Sequence, residues 1–341
     1  MRGKGKEEAA GVSWRVLDGS GGKKAHHHRE FARDVLLGLY RSPKSIPSRH
    51  FYDEEGNRLF QKIMGLPEFY LTDCELEILQ THRERITGHI DGGEFNLVEL
   101  GAGDGRKTRV LLEHLHGQGL GFRYVPIDIC SPALVQLVAS CESSFPGMGI
   151  EGLVSEYFDG LAWLSGLNDR RNVVLFLGSN IGNFNASEAR VFLRSLWNSL
   201  NHGDLVLIGF DLKKDIDVLV RAYNDSQGVT AQFNLNLLRR INGELGGNFR
   251  IEGFEHYSAY DFLSGAMESY LVSRTSQRVF IEALRKDFSF EAWEPIHTEV
   301  SHKYLPSDIS SLAEETGFEI ADEVSDSRGW FVDSLWRVAK L

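Results

Sequence analysis

The sequence is short of features that define several protein classes. Its only cysteines are Cys74, Cys130 and Cys141, with no CxxC spacing, which argues against a disulfide framework and a cysteine zinc site. No apolar run is long enough to span a bilayer, and the N-terminus lacks the apolar core of a signal peptide. We therefore expect a cytoplasmic protein with no membrane partner.

Basic residues are also in the minority. The chain has 37 lysines and arginines against 48 aspartates and glutamates, a formal charge of −11. Binding to nucleic-acid phosphates needs a basic face, so we expect no nucleic-acid partner. The histidines show no ligand spacing, so no metal is expected. No heptad pattern indicates an oligomer, and the default expectation is a monomer that acts on a small molecule.

What the sequence does have is enough apolar material for a large core. It contains 341 residues, of which 42% are hydrophobic. Apolar segments that alternate with helical patterns predict strands at 95–100, 124–127, 149–154, 173–177 and 205–210. This alternation is typical of an α/β doubly wound parallel sheet, which binds ligands at the carboxyl ends of its strands.

Changes of pattern along the chain predict its domains. Residues 1–25 contain too little apolar surface to fold and should form a disordered tail. Residues 26–73 should form N-terminal helices, with a turn at Glu55 and Gly56, and another helix begins near Cys74. The sheet core takes 74–212 and 304–341. Between them, 213–303 read as helices and then short strands, which indicates an inserted α+β substrate domain that packs with the N-terminal helices.

The most informative stretch is FNLVELGAGDGRKT, residues 95–108, which reads as strand, glycine turn and helix. Glycine reaches positive φ without strain, and a helix start offers unpaired N–H groups, so the stretch predicts a cofactor cradle. A P-loop needs glycine directly before its lysine, and a dinucleotide fingerprint needs a third glycine three residues after the second. Arg106 stands at both positions and disfavours both classes.

A third class fits. The glycine turn after Glu99, with Asp128 at the end of the next strand, matches class I S-adenosylmethionine-dependent methyltransferases, whose product is S-adenosylhomocysteine. Carboxylates suit the cationic donor, and Asp128 can accept both ribose hydroxyls. The alternatives are a helix cap for Asp128 and a surface position for Lys107. The predicted donor-binding residues are Glu99, Gly101, Gly103, Lys107, Asp128, Glu156 and Tyr157, the last two at the adenine.

Other segments narrow the resemblance. VELGAGDGRKTRVLL, LFLGSNIGNF, RAYNDSQGVTAQFN and IHTEVSHKY resemble the histidine-specific Nα-methyltransferases of ergothioneine biosynthesis, over roughly residues 50–304. The resemblance implies a class I methyltransferase fold with a smaller substrate domain. It also implies that the enzyme moves three methyl groups onto the α-amine of histidine, which gives the betaine.

The resemblance also implies roles for single residues. Asn183 and Tyr223 match positions that hold the substrate carboxylate, whereas Glu299 and Ser301 match positions that hold the imidazole. Tyr52 matches a tyrosine that lines the pocket, and with Asn183 and Tyr223 it forms the predicted catalytic set. These residue types suit their tasks, because an amide and a phenol can bind a carboxylate and a carboxylate can accept an imidazole N–H.

Two substrate positions depart from the family pattern. Phe69 replaces the first of two tyrosines, while Tyr70 keeps the second, and Ser269 replaces a methionine. These departures leave open a different acceptor, either another amino acid or a ring nitrogen of histidine. A non-catalytic module that only binds the donor is a more remote alternative, because a scaffold has no need of the matched substrate residues.

Overall fold

The structure is a computed structural model that describes residues 7–9, 12–16, 23–90, 92–167 and 170–340, with side chains from His28 onward. The chain forms two compact units. The first takes the strands before residue 17, Leu71–Lys213 and residues 303–340; the second takes the described residues up to Tyr70 and Lys214–His302. Across the described helices, none combines the length and apolarity needed to cross a membrane.

The strands of the described chain follow one another in this order: β1 (Glu7–Ala9), β2 (Val12–Val16), β3 (Lys44–Ser45), β4 (Phe95–Leu100), β5 (Phe122–Asp128), β6 (Gly149–Ile150), β7 (Gly152–Val154), β8 (Arg171–Phe176), β9 (Leu205–Asp211), β10 (Phe254–Asp261), β11 (Ala266–Ser273), β12 (Gln277–Ile281), β13 (Lys286–Phe290), β14 (Pro295–His302), β15 (Phe318–Ser325) and β16 (Phe331–Val338).

The α-helices are α1 (Lys23–Tyr40), α2 (Glu54–Met64), α3 (Tyr70–Thr87), α4 (Thr108–Gly117), α5 (Ser131–Ser144), α6 (Tyr157–Leu164), α7 (Ala186–Ser199), α8 (Ile216–Tyr223), α9 (Val229–Leu245) and α10 (Pro306–Thr316). Short 3₁₀ turns lie at Ser48–Phe51, Asn180–Asn183, Ile251–Gly253 and Glu282–Leu284.

The first unit is built on a ten-stranded sheet in the order β1-β2-β7-β5-β4-β8-β9-β16-β15, with β6 beside β5. The strands from β2 to β9 pair in parallel, and β16 enters antiparallel between β9 and β15. Every residue of β4 and β9 is buried, as expected for strands covered by helices on both faces. The predicted class I methyltransferase fold, a doubly wound α/β sheet, is confirmed.

The chain order reverses beside β4, because β5 follows on one side of it and β8 on the other. At such a switch point the loops after neighbouring strands diverge and leave a crevice at the carboxyl ends. The glycine turn that follows β4 therefore starts where doubly wound sheets bind their ligands.

Part of the segment 1–25, which was expected to be disordered, forms a pair of strands. β1 and β2 lie in that segment, and β2 pairs in parallel with β7 at the edge of the sheet. An edge strand offers unpaired backbone N–H and C=O groups, and these can order a short segment that has little apolar surface of its own. The rest of 1–25, apart from the start of α1, lies outside the described residues, so its disorder stays a prediction.

The second unit combines α1, α2, α8 and α9 with a four-stranded sheet in the order β10-β11-β14-β3 and a separate β12-β13 hairpin. β10, β11 and β14 pair antiparallel, with a register shift between Ser269 and Tyr270. α9 packs on α2 and on β10 and β11. α8 and α9 pack against a small sheet that is antiparallel except at β3, which is an α+β arrangement.

Two helix starts differ from the sequence prediction. The turn expected at Glu55 and Gly56 is wrong, since both lie in the first turn of α2, which is capped by the Asp53 carboxylate 2.7 Å from the Gly56 N–H. A Cβ on Gly56 would lie 1.7 Å from the Phe51 carbonyl oxygen. Glycine is needed there for close approach, not for a turn. Likewise, α3 begins at Tyr70, earlier than the start expected near Cys74.

The two ends of the segment between Lys213 and Lys303 are held together within the first unit. The Tyr304 N–H donates to the carbonyl oxygen of Asp211, at 2.9 Å, and Lys213 donates back to the Tyr304 carbonyl oxygen. The Asp211 carboxylate and the Lys303 ammonium form a fully buried ion pair at 2.8 Å. The inserted segment thus leaves and re-enters the sheet at one place.

Candidate active site

The turn after β4 uses its three glycines for different reasons. All have positive φ: 77° at Gly101, 55° at Gly103 and 68° at Gly105. A Cβ on Gly105 would lie 2.3 Å from the Leu137 side chain, and one on Gly101 would lie 2.9 Å from the Tyr157 hydroxyl. A Cβ on Gly103 would meet nothing within 4 Å. Gly103 therefore faces open space, where its backbone can approach a ligand closely.

Asp128, at the end of β5, ties this turn to the neighbouring strand. Its Oδ2 accepts the Gly103 N–H at 2.9 Å, and its Oδ1 accepts the Cys130 N–H at 2.8 Å. Burial nevertheless raises the pKa of this carboxyl. Each carboxylate oxygen can accept more than one hydrogen bond, so Asp128 can hold the turn and still accept hydroxyls. Its contact with Cys130 is an Asx turn before α5, whose N-cap position is taken by Cys130.

Glu99 points into the protein. It is 3% exposed, and its carboxylate accepts the hydroxyls of Thr108 and Tyr124. Burial is the main cause that raises the pKa of Glu99 to about 7. These bonds join the end of β4 to the start of α4 and to β5. Glu99 therefore supports the cradle from within, and its direct contact with a donor stays a prediction.

Glu156 and Tyr157 lie where β7 leads into α6, with Glu156 at the N-cap position. The Tyr157 ring lies among Phe176, Phe184 and Phe192, at centroid distances of 5.3, 6.3 and 5.8 Å. Burial raises the pKa of its hydroxyl well above the usual range. An aromatic wall of this kind suits a flat base, and the predicted adenine role remains a prediction.

Lys107 follows the glycine turn, and its contact with the donor stays a prediction. It is not on the helix surface, because its ammonium pairs with the carboxylate of Glu75, which is completely buried on α3. Its Nζ also lies 3.0 Å from the position that a Cβ on Gly178 would take. Lys107 thus contacts the loop after β8 as well as α3.

In the second unit, two side-chain pairs lie on one face of the small sheet. The Tyr223 hydroxyl donates to the Ser301 hydroxyl at 2.7 Å, and the Ser269 hydroxyl donates to a Glu299 carboxylate oxygen at 3.2 Å. Ser269 lies directly opposite Glu299 on β11 and β14, and Ser301 is two residues further along β14. Residues paired in this way project from the same face.

Aromatic rings continue this group of side chains. The Tyr52 ring lies 5.7 Å from both Phe60 and Phe233, and the Phe69 ring lies 6.1 Å from Phe60 and 6.5 Å from Tyr223. The second unit therefore brings Tyr52, Phe69, Tyr223 and Ser301 into one connected set, and their role as substrate positions stays a prediction. Phe69 is buried, and its ring packs without a hydroxyl that would need a partner.

Two further predicted substrate residues, Asn183 and Tyr70, lie outside this connected set of side chains. Asn183 is half-buried at the end of the 3₁₀ turn after β8, and it belongs to the first unit. Tyr70 lies in the second unit, where its hydroxyl accepts the Lys214 ammonium at 2.8 Å and its ring lies under the same cation. Tyr70 is thus paired with Lys214, which is not among the residues predicted from the sequence.

Several residues that support the predicted substrate positions were not among those predicted from the sequence. Phe60 and Phe233 form the centre of the aromatic set, and Asn234 accepts the buried Thr298 hydroxyl at 2.9 Å. His256 is buried, and its Nε2 donates to the Tyr223 carbonyl oxygen at 3.0 Å. Burial lowers the pKa of His256, which favours the neutral ring. The asparagines in the apolar run QFNLNLL were a usable signal, since a buried amide needs a partner.

Comparison with known proteins gives the family. A model of the histidine-specific, SAM-dependent methyltransferases matches residues 31–338. A histidine N-alpha-methyltransferase of Mycolicibacterium smegmatis is 38% identical over 89% of this chain and 93% of its own, and one of Mycobacterium tuberculosis is 36% identical over 90% and 95%. Ergothioneine biosynthesis protein 1 of Neurospora crassa is 33% identical over 82% of this chain and 32% of its own length. The chain belongs to the family of S-adenosylmethionine-dependent, histidine-specific methyltransferases.

Proposed function

We propose that this enzyme transfers methyl groups from S-adenosylmethionine to the α-amino nitrogen of L-histidine, up to three times, in an ergothioneine-type biosynthesis. The relatives named for histidine N-alpha-methylation cover nearly the whole chain, which supports this acceptor. The observation that carries the proposal is the row of Ser269, Glu299 and Ser301 on one sheet face, with Tyr223 bonded to it.

Glu299 suits an imidazole. A carboxylate offers about four acceptor positions, so Glu299 can accept an imidazole N–H while it keeps the Ser269 hydroxyl. A carboxylate also forms a stronger, charge-assisted hydrogen bond to an N–H group than a neutral acceptor does. As a hydroxyl donor to Glu299, Ser269 does something that a methionine cannot, because a thioether has no proton to donate.

Tyr223, with Asn183, is proposed to bind the substrate carboxylate. A phenol carries one proton, and in this structure Tyr223 donates it to Ser301. Donation to a substrate carboxylate therefore requires that this hydroxyl pair reverses, with Ser301 donating to the phenol oxygen. His256 holds the backbone of Tyr223 meanwhile, so only the hydroxyl has to reorient.

The residues of the first unit fit the donor, because the space beside Gly103 is open and the Asp128 carboxylate lies next to Gly103. When bound, the donor supplies a methyl group on a cationic sulfonium. Gly101 and Gly103 would approach its methionine part, Asp128 its ribose and Tyr157 its adenine. The chain's own contribution is to bind the amine in its unprotonated form and in a fixed orientation, with Tyr52 beside it.

The test is product analysis. The enzyme is incubated with isotopically labelled S-adenosylmethionine and each of the twenty standard amino acids, and products are identified by mass spectrometry with fragmentation. We expect labelled mono-, di- and trimethyl histidine, with every label on the α-nitrogen. Label on another amino acid, or on a ring nitrogen, would replace the proposed acceptor with the alternative that Phe69 and Ser269 leave open. Tight S-adenosylhomocysteine binding without any turnover would indicate a non-catalytic module.

A further inference from the structure

A buried carboxyl pair lies in the first unit beside Lys107. Glu75 on α3 and Asp333 on β16 are both completely buried. The Glu75 carboxylate accepts the Gly178 N–H, at 2.7 Å to Oε1 and 2.9 Å to Oε2, and pairs with the Lys107 ammonium. A carboxylate so far from water needs such partners, and here it has one cation and one backbone donor.

The sheet makes room for Glu75. A Cβ on Gly209, in the middle of β9, would lie 2.2 Å from the Glu75 Oε1. Asp333 is the direct register partner of Gly209 on β16, so its side chain projects from the same face, toward Glu75. No other residue fits at Gly209 unless the Glu75 carboxylate moves.

Asp333 faces Glu75, and among the described residues no N–H or O–H group donates to its carboxyl oxygens. Burial, and next the negative charge of Glu75, raise the pKa of Asp333 well above the usual range. Two like charges this deep repel each other strongly, which favours the protonated form of Asp333. The Glu75 carboxylate, in contrast, lies against the Lys107 ammonium.

Glu75 joins two loops. Lys107 ends the glycine turn after β4, and Gly178 follows β8, the neighbouring strand, with φ of 78°. The same loops meet at Asn180, whose Nδ2 lies 3.0 Å from the position that a Cβ on Gly101 would take. These are the loops at the strand ends where the order of the sheet reverses.

We propose that Glu75 is a positioning residue for the methyl donor: it fixes Lys107 and the Gly178 loop relative to the glycine turn. This rests on the donor site assigned above and not on the identity of the acceptor. Loss of the Glu75 charge should therefore weaken donor binding and leave acceptor recognition unchanged.

The experiment is calorimetric titration of S-adenosylhomocysteine into full-length variants. Glu75→Gln keeps an acceptor for the Gly178 N–H and removes only the charge that holds Lys107. We expect its Kd to rise about tenfold or more, the size typical of a lost supporting contact at a binding site. Asp333→Asn resembles the protonated acid and should bind within about twofold of wild type, as should Glu315→Gln, which breaks an exposed ion pair with Arg190.

Steady-state kinetics separate positioning from a general structural role. Glu75→Gln should raise KM for the donor and leave KM for histidine unchanged. In a Lys107→Met background, the additional substitution Glu75→Gln should have no further effect on the Kd, because Glu75 acts through Lys107. A wild-type Kd for Glu75→Gln, or effects of the two substitutions that simply add, would overturn the proposal.

If Glu75→Gln does not fold, Glu75→Asp takes its place in the test. Removing one member of a buried ion pair can destabilise a protein strongly. Glu75→Asp keeps the charge and withdraws it by one methylene from Lys107, so several-fold weaker S-adenosylhomocysteine binding is expected, and an unchanged Kd would overturn the proposal. If the proposed acceptor is wrong, these donor affinities are unaffected, so the two failures are distinguishable.

Discussion

The two units build their predicted binding positions in different ways. In the first unit, five of the seven predicted donor positions lie within 99–128, where glycines with positive φ form a turn that the Asp128 carboxylate holds. Apart from Asn183 in the first unit, the predicted acceptor positions come from α8, β11, β14 and two segments of the second unit before residue 71, and all of them are side chains. A backbone cradle suits a constant donor, whereas a surface of side chains can change its acceptor by single substitutions.

The units also bury opposite kinds of titratable group. Burial raises the pKa of Glu99, Asp128 and Asp333 in the first unit. In the second unit, burial lowers the pKa of His50, His256 and His297. The first group favours the folded state at lower pH and the second favours it at higher pH.

Glu99 should show the largest effect. Its folded pKa of about 7 is raised from 4.5, so its contribution is fully present below pH 4.5 and declines as pH rises toward 7. This corresponds to about 3 kcal/mol at most. We expect the free energy of unfolding of the wild type, measured by urea denaturation, to fall by up to that amount as the pH rises from 4.5 to above 7. The values are compared with those of Glu99→Gln, which lacks this titrating group. Glu113→Gln, exposed on α4, is the control; a parallel pH dependence in wild type and Glu99→Gln would contradict the assignment.

Glu299→Ala should lower kcat/KM for histidine about 100-fold, because a charge-assisted hydrogen bond contributes about 2–3 kcal/mol. The Kd of S-adenosylhomocysteine should stay within about twofold of wild type, since donor positions lie in the other unit. Glu268→Ala is the matched control, because Glu268 neighbours Ser269 on β11 but projects from the opposite face. Equal losses for histidine and for S-adenosylhomocysteine would break the division of roles between the units.

Asp128→Ala should weaken donor binding and leave histidine recognition unchanged. We expect the Kd of S-adenosylhomocysteine to rise about 30-fold, since the variant loses both the acceptor for ribose hydroxyls and the bond that holds Gly103. At saturating donor, KM for histidine should not change. Asp104→Ala, in the same turn but exposed, is the calorimetric control. An unchanged Kd for Asp128→Ala would remove Asp128 from the donor site.

His256 should give the smallest effect, in the opposite pH direction to Glu99. Its pKa is lowered from 6.5, so its contribution is present above pH 6.5 and is lost as pH falls. His256→Gln keeps an N–H donor for the Tyr223 carbonyl and cannot titrate. The protection factors of the α8 amides in hydrogen exchange should therefore fall below pH 6.5 in the wild type more than in the variant. The same fall in both would exclude His256 as its source.

Local pattern was sufficient for the sheet and the glycine turn. β4, the turn and Asp128 lie within one strand–helix–strand unit, where spacing along the chain determines spacing in the fold. Gly56 shows the limit, because a glycine required for close approach to Phe51 reads in the sequence like a glycine in a turn. The assignments of Asn183, Tyr223, Glu299 and Ser301 came from family resemblance, since no local rule relates such distant segments.

The buried Glu75 and Asp333 were missed for a physical reason. Glu75 lies in the helical pattern TDCELEIL, where a glutamate is normally exposed, and its burial depends on strands more than a hundred residues away. A usable signal was Gly209 in the apolar strand LVLIGFD. An isolated glycine in a buried strand indicates that another group approaches the backbone closely.

The clamp at Asp211, Lys303 and Tyr304 has an evolutionary consequence. Because both ends of the inserted segment are held side by side by residues of the sheet unit itself, the sheet does not depend on the length of what lies between them. Segments whose ends lie close together are the ones that proteins exchange and lengthen most readily. A lineage that carries this clamp can therefore replace the segment between Lys213 and Lys303 and inherit the sheet intact.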